Sequence, residues 1–254
     1  MSGRPNRSPG RQSAVRLAAV GDLHCPRTPP DVLAALLRKA ADEADLVLLC
    51  GDLTDRGLEE EARTLARILE STVRVPVVAV LGNHDFDAGQ APTVRAALAA
   101  TGAHLLDGDP LEIAGIGFAG VKGFGGGFGD RALQPWGEET IKRFVHEAVD
   151  EALKLESALA KLRTAVRVAV LHYAPIEGTV KGEPPEIYAF LGSSRLEEPL
   201  TRYAVSAVFH GHAHSGSPEG RTRNDTPVYN VALPLLGRTF PDQPGFRLIE
   251  LPAP

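Results

Sequence analysis

This chain of 254 residues predicts an α/β fold, and three observations carry that prediction. Short apolar runs alternate with segments whose apolar residues recur at helical spacing, the pattern of βα units feeding a parallel sheet. The early runs each end abruptly in a glycine and a cluster of carboxylate, imidazole or amide side chains. Hydrophobic residues at 43% and charged residues at 23% match ordinary globular usage, so neither disorder nor a coiled rod is the default.

Val15 to Val20 is the first buried strand and stops at Gly21-Asp22. Pro29, Pro30 and Asp31 then start a helix with Val32, Leu33, Leu36, Leu37 and Ala40 at helical spacing. Leu46 to Cys50 repeats the strand and ends in Gly51-Asp52, and residues 58 to 71 give a helix with Leu58, Ala62, Leu65, Ile68 and Leu69 on one face. Val77 to Leu81 is the third strand and runs into Gly82-Asn83-His84-Asp85. After a short helix around Val94 to Ala100, alternating Leu111, Ile113, Ile116 and Phe118 predict a hairpin or a tightly bent strand. Gly120 to Gly129 holds six glycines with Phe124 and Phe128, and reads as a loop, either a rim over an active site or a plain connector.

Glu138 to Leu162 predicts a long helix with a narrow seam of Ile141, Val145, Ala148, Ala152, Leu155, Leu159 and Leu162. That seam either packs on its own domain or pairs with a second copy, a homodimer through residues 138–162. Val166 to Leu171 delivers His172, and Val205 to Phe209 delivers His210 to His214. Val228 to Ala232 and Phe246 to Leu251 complete the strands. No repeat or second composition zone appears, so residues 14–254 are expected to form one domain. Residues 1–13, with Arg4, Arg7 and Arg11, read as a disordered basic tail.

A net charge of -5 argues against general nucleic-acid binding. No run reaches the roughly 18 apolar residues needed to span a bilayer, and residues 1–13 lack the apolar core of a signal peptide. Cys25 and Cys50 read as free thiols in a reducing compartment. A cytoplasmic location is the resulting expectation.

Open α/β sheets place ligands beyond the C-terminal ends of their strands. Five blocks stand at such ends here: Asp22-Leu23-His24, Gly51-Asp52-Leu53-Thr54-Asp55, Gly82-Asn83-His84-Asp85, His172, and Gly211-His212-Ala213-His214. Alone, His172 reads as a core histidine and His212 with His214 as a solvent loop. Together the blocks offer mixed carboxylate, imidazole and amide donors, which suit manganese, iron or zinc without choosing among them.

This ordered set resembles the calcineurin-like metallophosphoesterases over most of residues 15 to 232. The resemblance implies a four-layer αββα sandwich, two mixed β-sheets flanked by helices, that hydrolyses phosphate esters with two divalent or mixed-valence metal ions. It assigns Asp22, His24, Asp52 and His214 to the first ion and Asp52, Asn83, His172 and His212 to the second, with Asp52 bridging. It makes His84 the donor of a proton or hydrogen bond to the leaving oxygen, with Asp85 fixing its tautomer. His210 and Asp55 take supporting places, and His104 and His146 match no motif and read as surface groups.

Arg56 is similar to the phosphate-gripping arginine of the protein serine/threonine phosphatase branch, yet Asp85 stands where that branch has glutamate. Arg56 is read as a substrate clamp, or as a surface arginine or ion-pair partner of Asp55. Lys181 to Arg195 is too proline-rich for a continuous helix; its Tyr188, Phe190 and Arg195 are read as substrate contacts or as loop packing. With Gly120 to Gly129 it is expected to converge over the metals, Phe124 and Arg195 touching substrate. Cys25 is read as buried beside the site or approaching the first metal. The expected substrate is a small phosphodiester such as a cyclic nucleotide, ahead of a phosphomonoester and of a non-catalytic scaffold of the same fold.

Overall fold

The computed structural model describes residues 14–252, and the expected basic tail at 1–13 lies outside them. The first half runs β1 (Ala14–Val20), α1 (Pro30–Glu43), β2 (Leu46–Cys50), α2 (Glu59–Thr72), β3 (Val77–Val80), α3 (Ala91–Ala99) and β4 (His104–Leu105). The second half runs β5 (Pro110–Ile113), β6 (Ile116–Val121), α4 (Glu139–Lys161), β7 (Val166–Leu171), α5 (Tyr188–Leu191) and α6 (Glu197–Arg202). It ends with β8 (Ala207–His210), β9 (Glu219–Arg221), β10 (Pro227–Asn230), α7 (Leu233–Thr239) and β11 (Arg247–Pro252).

Two sheets result, a five-stranded one in the order β11-β1-β2-β3-β4 and a six-stranded one in the order β5-β6-β7-β8-β10-β9. Both are mixed: β1 to β4 run parallel with β11 antiparallel, and β6, β7, β8 and β10 run parallel between antiparallel β5 and β9. The period-2 alternation of each strand splits its side chains between two cores. Leu17, Leu46, Leu48, Val78 and Val80 of the first sheet meet Phe118, Val168, Val170 and Phe209 of the second. The outer side chains Ala18, Val20, Val47, Leu49 and Ala79 pack under Leu33, Leu37, Leu65 and Val94 of α1, α2 and α3. Ala119, Leu171 and Val208 pack under Leu155, Leu159 and Leu200 of α4 and α6. Burial on both faces explains why these strands read as unbroken apolar runs.

The α4 seam has its partner inside the chain: Val145, Ala148, Leu155 and Leu159 are buried, and Ile141 at its start stays exposed. A homodimer through residues 138–162 would have to use another face of this helix. The predicted hairpin is β5 and β6, paired antiparallel from Pro110↔Ala119 to Ile113↔Ile116. His104 and His146 are exposed, as expected. Among the described residues, no helix is long and apolar enough to cross a membrane.

Candidate metal centre

All five polar blocks meet at one edge of the two sheets. Their backbone is unusual: Asp22 (φ 57), His24 (φ 43), Asp52 (φ 49) and His212 (φ 68) are non-glycine residues in the left-handed region. Such conformations cost free energy and persist where the surroundings over-determine them. Glycines make the close approach feasible. A Cβ at Gly51 would lie 2.5 Å from His172 Nδ1, one at Gly82 2.2 Å from Asp52 Oδ1, and one at Gly211 2.3 Å from Asp22 Oδ2. Main-chain bonds tie the blocks, with Asp22 N donating to Gly51 O (2.9 Å), His24 N to Asp52 O (2.9 Å) and Gly211 N to His172 O (3.1 Å).

Asp52 sits between two groups of donors. Its Oδ2 lies 3.8 Å from His24 Nε2, and its Oδ1 lies 3.3 Å from His172 Nε2. Donor atoms of Asp22, His24 and His214 fall within 4.8 Å of one another, as do those of Asp52, His172 and His212. Asn83 joins the second group, its Oδ1 2.8 Å from His172 Nε2. The sequence-predicted donors Asp22, His24, Asp52, Asn83, His172, His212 and His214 are therefore brought together.

Hydrogen bonding fixes what these donors offer. His172 Nδ1 lies 3.0 Å from Cys50 O, and a carbonyl only accepts, so Nδ1 carries the proton and Nε2 presents a lone pair. That lone pair faces the oxygens of Asp52 and Asn83, an arrangement of acceptors that a cation relieves. His212 Nε2 donates to Phe190 O at 3.1 Å, which leaves Nδ1 as the lone-pair atom and matches the way metal-binding imidazoles are oriented. Both ring nitrogens of His24 are buried without a hydrogen-bond partner. Leaving buried polar atoms unpaired is costly. Burial lowers the pKa of His24 to about 4 and of His212 to about 3, and lowers that of His172 as well, so these rings are neutral. Burial, reinforced by Asp22 and Asp85, raises Asp52 to about 9, a penalty that bound cations would offset. His214 Nε2 is 2.9 Å from Asp22 Oδ1, and that bond raises the His214 pKa. On donor chemistry, the residues fit divalent metal.

The neighbours of this cluster bring corrections. His84 stands over it, its ring 4.6 Å from that of His24 and its main-chain N donating to Asp52 Oδ1 at 2.8 Å. Asp85 does not orient His84. It is buried, and accepts from Leu53 N (3.2 Å), Thr54 N (2.8 Å), Thr54 Oγ1 (2.6 Å) and Gly82 N (2.7 Å), fastening two donor loops together. Asp55 supplies what Asp85 was expected to supply, because its carbonyl accepts from His84 Nδ1 at 2.7 Å. The Asp55 carboxylate lies 3.3 Å from Arg27 and 3.3 Å from His24 Nδ1, so its ion pair is with Arg27 rather than Arg56. Arg56 is exposed; among the described residues its side chain makes no ion pair, and its main-chain N donates to Glu61 Oε2 at 2.8 Å. His210 supports, with Nδ1 donating to Gly211 O (2.8 Å) and Nε2 2.8 Å from Thr179 Oγ1. Cys25 and Cys50 are buried free thiols, and burial pushes Cys25 up to about 11.

The two loop segments do converge. Gly126 N donates to Ala189 O (2.7 Å), Gly127 N to Gly192 O (2.9 Å) and Ser194 N to Gly127 O (3.1 Å), and Phe190 O reaches His212. Arg195 is a fastener within this lid: its Nη2 donates to Leu133 O at 3.1 Å, while its Nη1 is buried without a partner. Phe124 packs 4.8 Å from Phe144 and 5.8 Å from Tyr173. Sequence reasoning missed Lys122 and Tyr173, although each adjoins a residue already singled out by its block or loop.

Helix-flanked mixed sheets with Asp, His and Asn donors at one edge define a metal-binding phosphoesterase. The chain belongs to the calcineurin-like phosphoesterase family, whose model matches residues 15–216. Among solved structures it is similar to the phosphopantetheinyl hydrolase PptH from Mycobacterium tuberculosis, with TM-score 0.68 and 18% identity over 96% of this chain and 98% of that one. It is also similar to TT1561 of Thermus thermophilus, with TM-score 0.54 and 15% identity over 95% of this chain and 100% of that one. These likenesses are of fold. A search of curated proteins finds no match.

Proposed function

We propose that this chain hydrolyses small phosphate esters, phosphodiesters first, with a binuclear centre bridged by Asp52. One observation carries the reading: the two oxygens of Asp52 face separate donor groups, Oδ2 toward His24 at 3.8 Å and Oδ1 toward His172 at 3.3 Å. Asp22, His24 and His214 would hold one ion, and Asn83, His172 and His212 the other, with manganese, iron or zinc all suited to these donors. When bound, such ions neutralise charge on the phosphoryl group.

The chain's own groups do the rest. His84 keeps its Nδ1 proton on the Asp55 carbonyl, which makes Nε2 the working atom for a proton passed to the leaving oxygen. Asp85 holds the loops of Asp52 and His84 in register. The reading takes a small substrate, a cyclic nucleotide being the simplest diester of that kind. The phosphopantetheinyl hydrolase named above shares the fold, and its name is compatible with a small phosphate-ester substrate. Two buried free thiols are compatible with a cytoplasmic setting.

The test is manganese-supplemented hydrolysis of bis(p-nitrophenyl) phosphate beside p-nitrophenyl phosphate. Turnover of the diester is expected; monoester preference would shift the substrate class, and a metal-loaded protein that turns over neither would be a scaffold. His84→Ala should keep its metals and lose about 10² to 10⁴ in turnover, less on a nitrophenyl leaving group than on an alkoxide.

A further inference from the structure

Lys122 is a cation to which the phosphoesterase reading gives no task. It follows β6 directly and opens the glycine-rich loop. Its Nζ donates to Gly123 O at 2.8 Å and lies 4.8 Å from the ring centre of Phe124, 5.3 Å from that of Tyr173 and 5.6 Å from that of Phe86. Nearby carboxylates are engaged elsewhere. Glu151 accepts from Gly123 N (2.7 Å) and Lys154 (2.6 Å), and Asp107 is held by Arg95 (3.5 Å) and Lys154 (3.4 Å). Exposed Glu147 shares with Lys122 the lining of a cavity of about 100 Å³ but makes no ion pair with it. Among the described residues, Lys122 thus has one hydrogen-bond acceptor for three ammonium donors.

Its cage is continuous with the metal centre. Tyr173 follows His172, and its ring lies 5.4 Å from the ring of His172 and 4.4 Å from that of His212. Phe86 ends the short 3₁₀ turn that His84 begins, and is 45% exposed, so its ring is open to a ligand. Aromatic faces hold an ammonium by cation–π attraction and exclude water, and in the lower local dielectric an anion is drawn more strongly.

We propose that Lys122, with Phe86 and Phe124 as walls, forms a subsite for a second anionic group on the substrate. The preferred substrates are then small phosphate esters whose departing portion carries a carboxylate or a further phosphate. The inference rests on the proposed phosphoesterase reading: His84 marks the side on which the leaving group departs, and Phe86 extends from that side toward Lys122. A lysine that only braced the loop through Gly123 O would show no preference for a distal charge.

The experiment uses the manganese-loaded full chain and calorimetric titration with ω-carboxyalkyl phosphonates of two to six carbons, each against the uncharged alkyl phosphonate of the same length. At one chain length the carboxylate should bind about tenfold more tightly, the gain expected of one charge-assisted hydrogen bond. Lys122→Met should bring that ratio close to one and Lys122→Arg should keep part of it, with metal content by elemental analysis equal to wild type in both. A ratio near one at every length in the wild type, or an undiminished ratio in Lys122→Met, overturns the subsite. If no phosphonate binds and no ester is turned over, the phosphoesterase reading fails and the subsite with it; ester turnover with no distal-charge preference sinks the subsite alone.

Discussion

The donor cradle and the lid above it are built by opposite means. In the cradle, the backbone is left-handed at Asp22, His24, Asp52 and His212, and glycines let the donor loops pack against one another's side chains. In the lid, two irregular segments hold one another through main-chain bonds such as Gly126 N to Ala189 O, with the aromatic rings of Phe124, Phe144 and Phe190 between them. The cradle stores strain to fix chemistry, and the lid is irregular loop, the part that can differ among proteins that share the cradle. Each segment is bonded to a cradle donor, His172 N donating to Lys122 O at 3.1 Å and His212 Nε2 to Phe190 O at 3.1 Å.

Breaking the cradle should have the largest effect. Asp52→Asn replaces a carboxylate facing two donor groups with an amide that cannot share its charge between cations. Elemental analysis should fall from two metals per chain to at most one, and turnover by at least about 10³, the upper range for losing one preorganised electrostatic group. Two metals retained would end the bridging assignment.

The joint between the regions comes next. A Cβ at Gly125 would lie 2.5 Å from Ala189 O, so Gly125→Ala has to displace the Ala189–Phe190 backbone and should disturb the Phe190 O bond to His212. Losing a bond that orients a metal-binding imidazole costs about 10 to 100-fold in metal affinity. Competition with a chelator measures it; unchanged affinity would mean that the lid sits on the cradle without tuning it.

What was legible in the sequence follows the same division. Strands buried on both faces make continuous apolar runs, and each donor block stood at the end of one, so Asp22, Asp52, Asn83, His172 and His212 could be placed before any coordinates. Asp85 was misassigned because sequence adjacency to His84 suggests contact. In a 3₁₀ turn of three residues per turn, successive side chains point about a third of a circle apart, and Asp85 turns into the protein while His84 turns out. The short helix α7 was missed, since Pro234 and Gly237 within Leu233–Thr239 erase its periodicity, and β4 has only two residues. The Arg195 contact with Leu133 joins segments 62 residues apart, which no local pattern encodes.

Titration of the metal-free protein separates the cradle's charges. Asp52, raised to about 9, is still protonated in the folded state where the unfolded chain has already ionised, so its contribution is lost as pH rises toward 9. His24 at about 4 and His212 at about 3 act oppositely, since the unfolded imidazoles take protons below about 6.5 that the folded ones refuse. Stability of the metal-free chain should therefore peak near neutrality or just below, and its Tm should fall between pH 7 and 9. Manganese should remove that alkaline decline by holding Asp52 ionised. A metal-free Tm that stays level or rises from pH 7 to 9 would contradict the burial of this charge.

The smallest effect is expected at Arg195, where the two regions can be told apart most finely. Its Nη2 bond to Leu133 O at 3.1 Å fastens the second lid segment to the stretch that follows the first. Arg195→Ala should cost about 1 kcal/mol of lid closure, the usual worth of one hydrogen bond. Metal content and kcat should be unchanged, because the cradle is untouched, while KM should rise by about fivefold, the equivalent of that energy. A direct substrate contact would raise KM too, so limited proteolysis decides: an unfastened lid exposes residues 126–133 to cleavage even without substrate, whereas loss of a substrate contact leaves the cleavage rate as in the wild type. Faster cleavage together with the raised KM assigns Arg195 to the lid, and an unchanged rate returns it to the substrate.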